Sequence, residues 1–195
     1  MMPREAMRSV GLFDIRAHPG WGLLPLAALI WHGAYTIVKL NPEYLFFVCY
    51  AANFLLSVGI LTRSGLLTGT GFCWVVGGFP LWLHYAIRTS DWEPSGLVFH
   101  TSGLLAGALS MRFHRYPRYA WVLALALGAF LQLLARLFTD PVLNVNAAFR
   151  VYEGWEALFS SIVIYRIVMA TGFGAFFLVL TWLNRAFTSL RADSA

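Results

Sequence analysis

Charge is scarce in this sequence. Of its 195 residues, 12% are Asp, Glu, Lys or Arg, and 59% are hydrophobic. A soluble domain carries about 25% charged and about 45–50% apolar residues. The chain lacks the polar surface that would keep a globule in water, so its solvent is largely lipid. The mean hydropathy of +0.66 agrees. Cysteine is scarcer still. Cys49 and Cys73 are the only two, both inside apolar runs, which excludes a disulfide framework. The 14 basic residues give a net charge of +5 but never form a run. That excludes a nucleic-acid patch. No HxxxH, ExxH or CxxC spacing marks a metal centre, and there is no internal repeat of the kind many transporters carry.

Long apolar runs are what the chain has instead. A bilayer core of about 30 Å needs roughly 20 apolar residues of helix. Six runs qualify, at 21–38, 44–62, 65–87, 95–111, 119–138 and 162–183. The breaks between them, "KLNPE", "TRSG", "RTSDWEP", "RFHRYPR" and "TDPVLNVN", hold helix-stopping or polar residues. Pro42, Pro94, Pro117 and Pro141 suit helix starts or loops. The expected fold is all-α, a polytopic bundle of about six transmembrane helices. It divides into an N-terminal segment 1–20, one transmembrane domain 21–185 and a tail 186–195. The polar, basic N-terminus precedes several apolar runs rather than one, so the first run reads as an anchor and not a cleaved signal. The segment 139–161 is long enough for a loop plus an interfacial helix.

Basic residues set orientation. Nine fall at the N-terminus, the second and fourth loops and the C-terminus: Arg4, Arg8, Arg16, Arg63, Arg112, Arg115, Arg118, Arg185 and Arg191. Five fall on the other side: Lys39, Arg88, Arg136, Arg150 and Arg166. Six of the nine acids accompany those five. Both termini are therefore expected in the cytoplasm of a multi-pass cell-membrane protein. Membrane lipids are its expected partners.

In that topology the polar residues inside the runs gather in the outer half. They are His32, Cys49, Asn53, His84, His100, Arg136 and Arg166. Intramembrane polar groups are costly and face a bundle interior or a wet cavity, so one shared pocket is expected. The fourth run places Gly96, His100, Gly103, Gly107 and Ser110 on one stripe, where small residues let a neighbour approach. The fifth aligns Gly128, Gln132, Arg136 and Asp140 at steps of four, which predicts that Arg136 faces the bundle. Cys49 and Asn53 are also four apart and share a face.

These residue types suggest a chemistry. A histidine can draw off a thiol proton, making Cys49 and His100 a candidate catalytic pair. Asn53 and Arg136 are candidate oxyanion donors. Arg136 or Arg166 suits a lipid phosphate, and His84 lines the same expected pocket. The plainer readings are packing for both thiols, an interhelical hydrogen bond for Asn53 and snorkelling for the two arginines. No cofactor is expected on the acyl-transfer reading. An alternative takes His32, His84 and His100 as haem or metal ligands. Another makes the chain a non-catalytic subunit or transporter.

The pieces "NPEYLFFVCYAAN", "GFPLWLHY", "EPSGLVFHTSG" and "DPVLNVNAAF" put a Cys early in one helix and a His early in the helix after next. An Asn-rich segment follows before the last helix. This pattern resembles the YwaF-like integral membrane family over roughly residues 25–185. Animal relatives of that family are regarded as cysteine-dependent acyltransferases acting on phospholipids. The resemblance implies Cys49 as nucleophile and His100 as its base.

Overall fold

The computed structural model describes residues 19–192. Arg4, Arg8 and Arg16, and the final residues 193–195 of the tail, lie outside the described residues. Every apolar run becomes a helix: α1 Leu23–Lys39, α2 Val48–Leu61, α3 Gly65–Thr89, α4 Pro94–Ser110, α5 Ala120–Phe138 and α6 Ile162–Ala192. No strand occurs among the described residues. Four stretches are long and apolar enough to cross a membrane: Pro19–Lys39, Gly65–Thr89, Ala120–Phe138 and Ile162–Leu190. α2 has 14 residues and α4 has 17, or about 21 and 26 Å at 1.5 Å per residue. Outward faces carry large apolar side chains such as Ile30, Phe130, Leu133, Ile167 and Trp182, all exposed. A surface of that kind is stable against lipid.

The helix boundaries follow local chemistry. Asn41 accepts from the Glu43 amide and starts a short 3-10 turn, Pro42–Phe46. Phe47 is extended, so α2 begins only at Val48. Cys49 is therefore in the first turn of α2 and not about five residues into it, as a continuous run would have made it. Ser64 caps α3 by accepting from Leu67 N at 3.4 Å. α3 ends where Ser90 turns left-handed at φ 56°. Glu93 then caps α4 ahead of Pro94.

α2 and α3 form an antiparallel hairpin closed at Arg63, and two glycines set how near they come. A Cβ on Gly71 would lie 2.6 Å from both the Ala52 carbonyl oxygen and the Leu56 nitrogen. One on Gly59 would lie 2.3 Å from the Thr68 nitrogen. Backbone thus rests on backbone, burying Ala52, Leu56, Ile60, Phe72 and Val75 between the pair and α4. The expected α4 stripe is the face that packs here. Gly103 lies against Asn53, and Gly107 against the Phe72 ring. Gly128 of α5 takes the Trp74 indole, whose Nε1–H donates to the Ala124 carbonyl at 2.5 Å. Gly77 receives Phe173 and Phe177 of α6.

The segment 139–161 holds no interfacial helix. Its one helical element is the three-residue turn Val145–Ala147, with Asn144, Asn146 and Ala147 all at positive φ. Side chains hold that shape. Asn146 donates to the Phe46 carbonyl at 2.7 Å and accepts from Val48 N at 2.9 Å, bridging the break before α2. Asn144 accepts from the Phe149 and Arg150 amides, 3.0 Å each. Gln132 donates to Asn146 O at 3.0 Å and Arg166 to Ala148 O at 2.5 Å. Short hydrophobic residues would leave these backbone groups unpaired in a dry setting. At the opposite end, buried Asn184 of α6 ties down the α4–α5 turn through Met111 O, His114 O and Tyr116 N.

Two outcomes test this account. Gly71→Val should force α2 and α3 apart and cost about 1–3 kcal/mol or more, read as a lower midpoint when the detergent-solubilised chain is titrated with SDS. Asn146→Ala should cost about 1–3 kcal/mol by orphaning a donor and an acceptor. It should also speed deuterium exchange at the Val48 amide.

Candidate functional site

A polar cluster lies where the start of α4 meets α1. Its first component is a helix cap. The Glu93 carboxylate accepts from the Ser95 amide at 2.9 Å and the Gly96 amide at 2.7 Å, two of the donors a helix start leaves unpaired. It also accepts the Ser95 hydroxyl. Burial pushes the Glu93 carboxyl up, but these hydrogen bonds and the nearby His32 outweigh it and hold it below the usual carboxylate range.

α1 brings His32 to this cap. Its Nδ1 is 2.8 Å from Ser95 Oγ and 3.7 Å from Glu93 Oε2. An ionised carboxylate only accepts, so the Ser95 hydroxyl gives its proton to Glu93. Ser95 Oγ must then accept from His32 Nδ1–H. That fixes the neutral tautomer, with the lone pair on Nε2. Nε2 has no hydrogen-bond partner among the described residues. The ring packs against Tyr50 of α2, centroids 5.6 Å apart, and Phe99 of α4, at 4.9 Å, and those two rings also touch each other at 5.1 Å. Tyr50 is itself held by a 2.5 Å hydrogen bond to Thr36.

α3 closes the group. Trp82 stacks on His100 with centroids 4.5 Å apart. Gly96 leaves room between these elements: a Cβ there would meet His32 Cε1 at 3.5 Å and Trp82 Nε1 at 3.9 Å. The Trp82 indole N–H has no acceptor among the described residues. An acceptor on His32 and a donor on Trp82 thus flank one small residue. Ser95 is 0% exposed, so it relays hydrogen bonds and is not itself reachable.

The expected Cys49–His100 pair is not hydrogen-bonded. His100 packs on Trp82, while Cys49 Sγ lies 3.3 Å from the position a Gly78 Cβ would take. Gly78 and Trp82 are successive turns of α3, so the thiol and the imidazole meet different levels of that helix. Asn53 is buried, but its amide donates back to the Cys49 carbonyl at 3.0 Å, and its Oδ1 is unpaired against Gly103. It packs against α4 at Gly103 and makes no hydrogen bond to His32. His84 is two residues from Trp82, about 200° around α3. It faces Tyr152 and Trp155 instead, centroids 6.4 Å from each, with a buried and unpaired Nδ1.

Two further expectations need correcting. Arg136 is exposed and does not face the bundle. α5 stops at Phe138 and Thr139 is extended, so Asp140 leaves the stripe that was to pair with it. The three-histidine metal set also fails to assemble, because no three His, Cys, Asp or Glu side chains converge as ligands among the described residues. His84 on the far face of α3 is the reason. The residues that sequence reasoning passed over are Glu93, Ser95, Tyr50, Thr36 and Trp82. The signal available was "EPS", an acid directly before a helix-starting Pro and a hydroxyl two residues on.

No family model, no curated protein and no solved structure matches this chain.

The cap gives a pH dependence. A depressed carboxyl contributes stability above its unfolded value of about 4.3, and that stability is lost as pH falls through the folded value. Wild type should therefore melt higher than Glu93→Gln at pH 7, with the gap closing as the pH is lowered below about 4. A gap constant from pH 7 to 3 would show that the Glu93 charge has no part in it.

Proposed function

We propose that this chain is an integral membrane protein crossing the bilayer six times, both termini cytoplasmic, whose outer end performs acid–base chemistry on an amphiphile at His32. The observation that carries this reading is the hydrogen-bond chain from Glu93 through Ser95 to His32 Nδ1. It leaves Nε2 as a fixed, oriented proton acceptor. Holding an imidazole in one tautomer through an anionic partner is how a histidine is prepared to take a proton. Trp82 Nε1–H supplies the complementary donor for a carbonyl or phosphoryl oxygen. The flanking rings of Tyr50, Phe99 and His100 suit the apolar part of a lipid-soluble substrate.

Six spans are supported by six helices in unbroken alternation, with α2 extended at its start by the turn Pro42–Phe46. The nine-to-five distribution of basic residues supports the orientation. Acyl transfer through Cys49 would need a base on the thiol, and no hydrogen bond supplies one among the described residues. The His32 reading requires no rearrangement.

The experiment uses the purified full chain, reconstituted with a total polar lipid extract and followed by lipid mass spectrometry. Wild type should change the ratio of acylated to lyso species. His32→Gln should slow this by about 10²-fold or more, the usual worth of a positioned general base. Cys49→Ala should leave it within about twofold. If Cys49→Ala abolishes turnover while His32→Gln retains it, the thioester reading replaces this one. If wild type alters no lipid, the catalytic reading is lost. Topology is read separately, by labelling Ser90→Cys and Ser194→Cys in a chain lacking Cys49 and Cys73. The two should react from opposite sides.

A further inference from the structure

Arg136 near the end of α5 and Arg166 near the start of α6 stand on either side of the 139–161 segment. Arg166 lies in the first turns of α6 and reaches across to the Ala148 carbonyl at 2.5 Å. Arg136 is one turn beyond Gln132 on α5, and Gln132 holds the two preceding carbonyls, Asn146 O at 3.0 Å and Ala147 O at 3.3 Å. α5 and α6 thus bring the two arginines beside one turn of backbone, the carbonyls of Asn146, Ala147 and Ala148.

Like charges brought together in a largely apolar protein call for an anion. Neither guanidinium has a carboxylate within 4 Å among the described residues. Asp140, the acid nearest in sequence to Arg136, is turned off the helix, and its amide is held by Glu43 at 2.6 Å. Arg136 makes no hydrogen bond at all among the described residues, and it is exposed. Arg166 Nε is buried without an acceptor. The fold fixes one Arg166 nitrogen on a carbonyl and leaves the remaining donors without an acceptor.

We propose that Arg136 and Arg166 form a receptor for one phosphate group at the membrane–water boundary. Depth agrees with that role. Arg136 is two residues from the end of α5 and Arg166 four from the start of α6, so both are about 3–6 Å inside their helix ends. Planar guanidinium forks match phosphate oxygens in pairs, which a lysine at the same point would not do. The phosphate belongs either to a lipid headgroup or to a soluble anion, and the chemistry at the arginines is the same. The inference does not rest on the His32 reading.

The test is thermal unfolding of the full chain in a neutral maltoside detergent. Three probes are added in turn: dioleoylphosphatidic acid, dioleoylglycerol with the same chains and no phosphate, and inorganic phosphate against chloride at equal ionic strength. Phosphatidic acid should raise the melting temperature, and dioleoylglycerol should raise it less or not at all. Arg136→Gln should leave the ligand-free melting temperature unchanged, because Arg136 holds nothing in the fold. It should raise the half-saturating phosphatidic acid concentration about tenfold, with Arg136→Lys in between. Arg166→Lys keeps the charge and should weaken the response in the same direction. His32→Gln should respond as wild type, which separates this site from the other one. A response to inorganic phosphate as well identifies a receptor for the anion itself; a response to the lipid alone identifies a headgroup site. An equal response to dioleoylglycerol, an unchanged response in Arg136→Gln, or no response to either phosphate probe would overturn the proposal.

Discussion

Everything in this bundle is referred to the place where α3 lies directly on the backbone of α2. At Gly71 there is no room for even a methyl group between the two chains. In lipid the hydrophobic effect gives helices no reason to prefer each other over acyl tails, so close packing has to supply the attraction. Glycine permits it by removing the side chain that would hold the backbones apart. Once α2 and α3 are locked, α4 follows by the same means, with Gly103 taking Asn53 and Gly107 taking Phe72. α5 and α6 attach through larger aromatic contacts, Trp74 in Gly128 and two phenylalanines on Gly77. α2, α3 and α4 are therefore set by absence of side chain, and α5 and α6 by its bulk.

That arrangement explains where polar groups can survive. An unpaired backbone or side-chain group in a dry interior costs several kcal/mol by transfer arguments, so each must find a partner or a wet edge. Asn146, Asn144, Gln132 and Arg166 do so collectively, by holding a turn that has three left-handed residues outside glycine. Asparagine tolerates that conformation better than most residues, which accounts for two of the three positions. Ala147 takes it as well, with its own carbonyl and those of Asn146 and Ala148 held by Gln132 and Arg166. The turn in turn bridges the break before α2, so the position of Cys49 and Tyr50 depends on residues nearly a hundred positions later.

The His32 cluster obeys the same economy. Its carboxylate is not a stray charge near a membrane, since it caps α4 and anchors Ser95 at once. One acid thus completes a helix, orients a hydroxyl and selects a histidine tautomer. His32 is the end of that chain, and its Nε2 has no hydrogen-bond partner among the described residues.

The membrane character and six helices were legible from the sequence, because scarcity of charge and length of apolar run are one-dimensional properties. So was the packing face of α4, because steps of three and four read out a helix surface. Two judgements failed for a common reason. Arg136 was aligned with Asp140 as if α5 continued, and Cys49 was counted deep as if α2 began at residue 44; both assumed straight helix through a place where the backbone turns. Pairing of Glu93, Ser95 and His32 joins residues more than sixty apart, and no spacing rule reaches that far. Composition determined the solvent and the kind of element, since each residue carries its hydrophobicity wherever it goes. Which polar groups meet was decided only in three dimensions, by helix ends, glycine contacts and the few donors left without a partner.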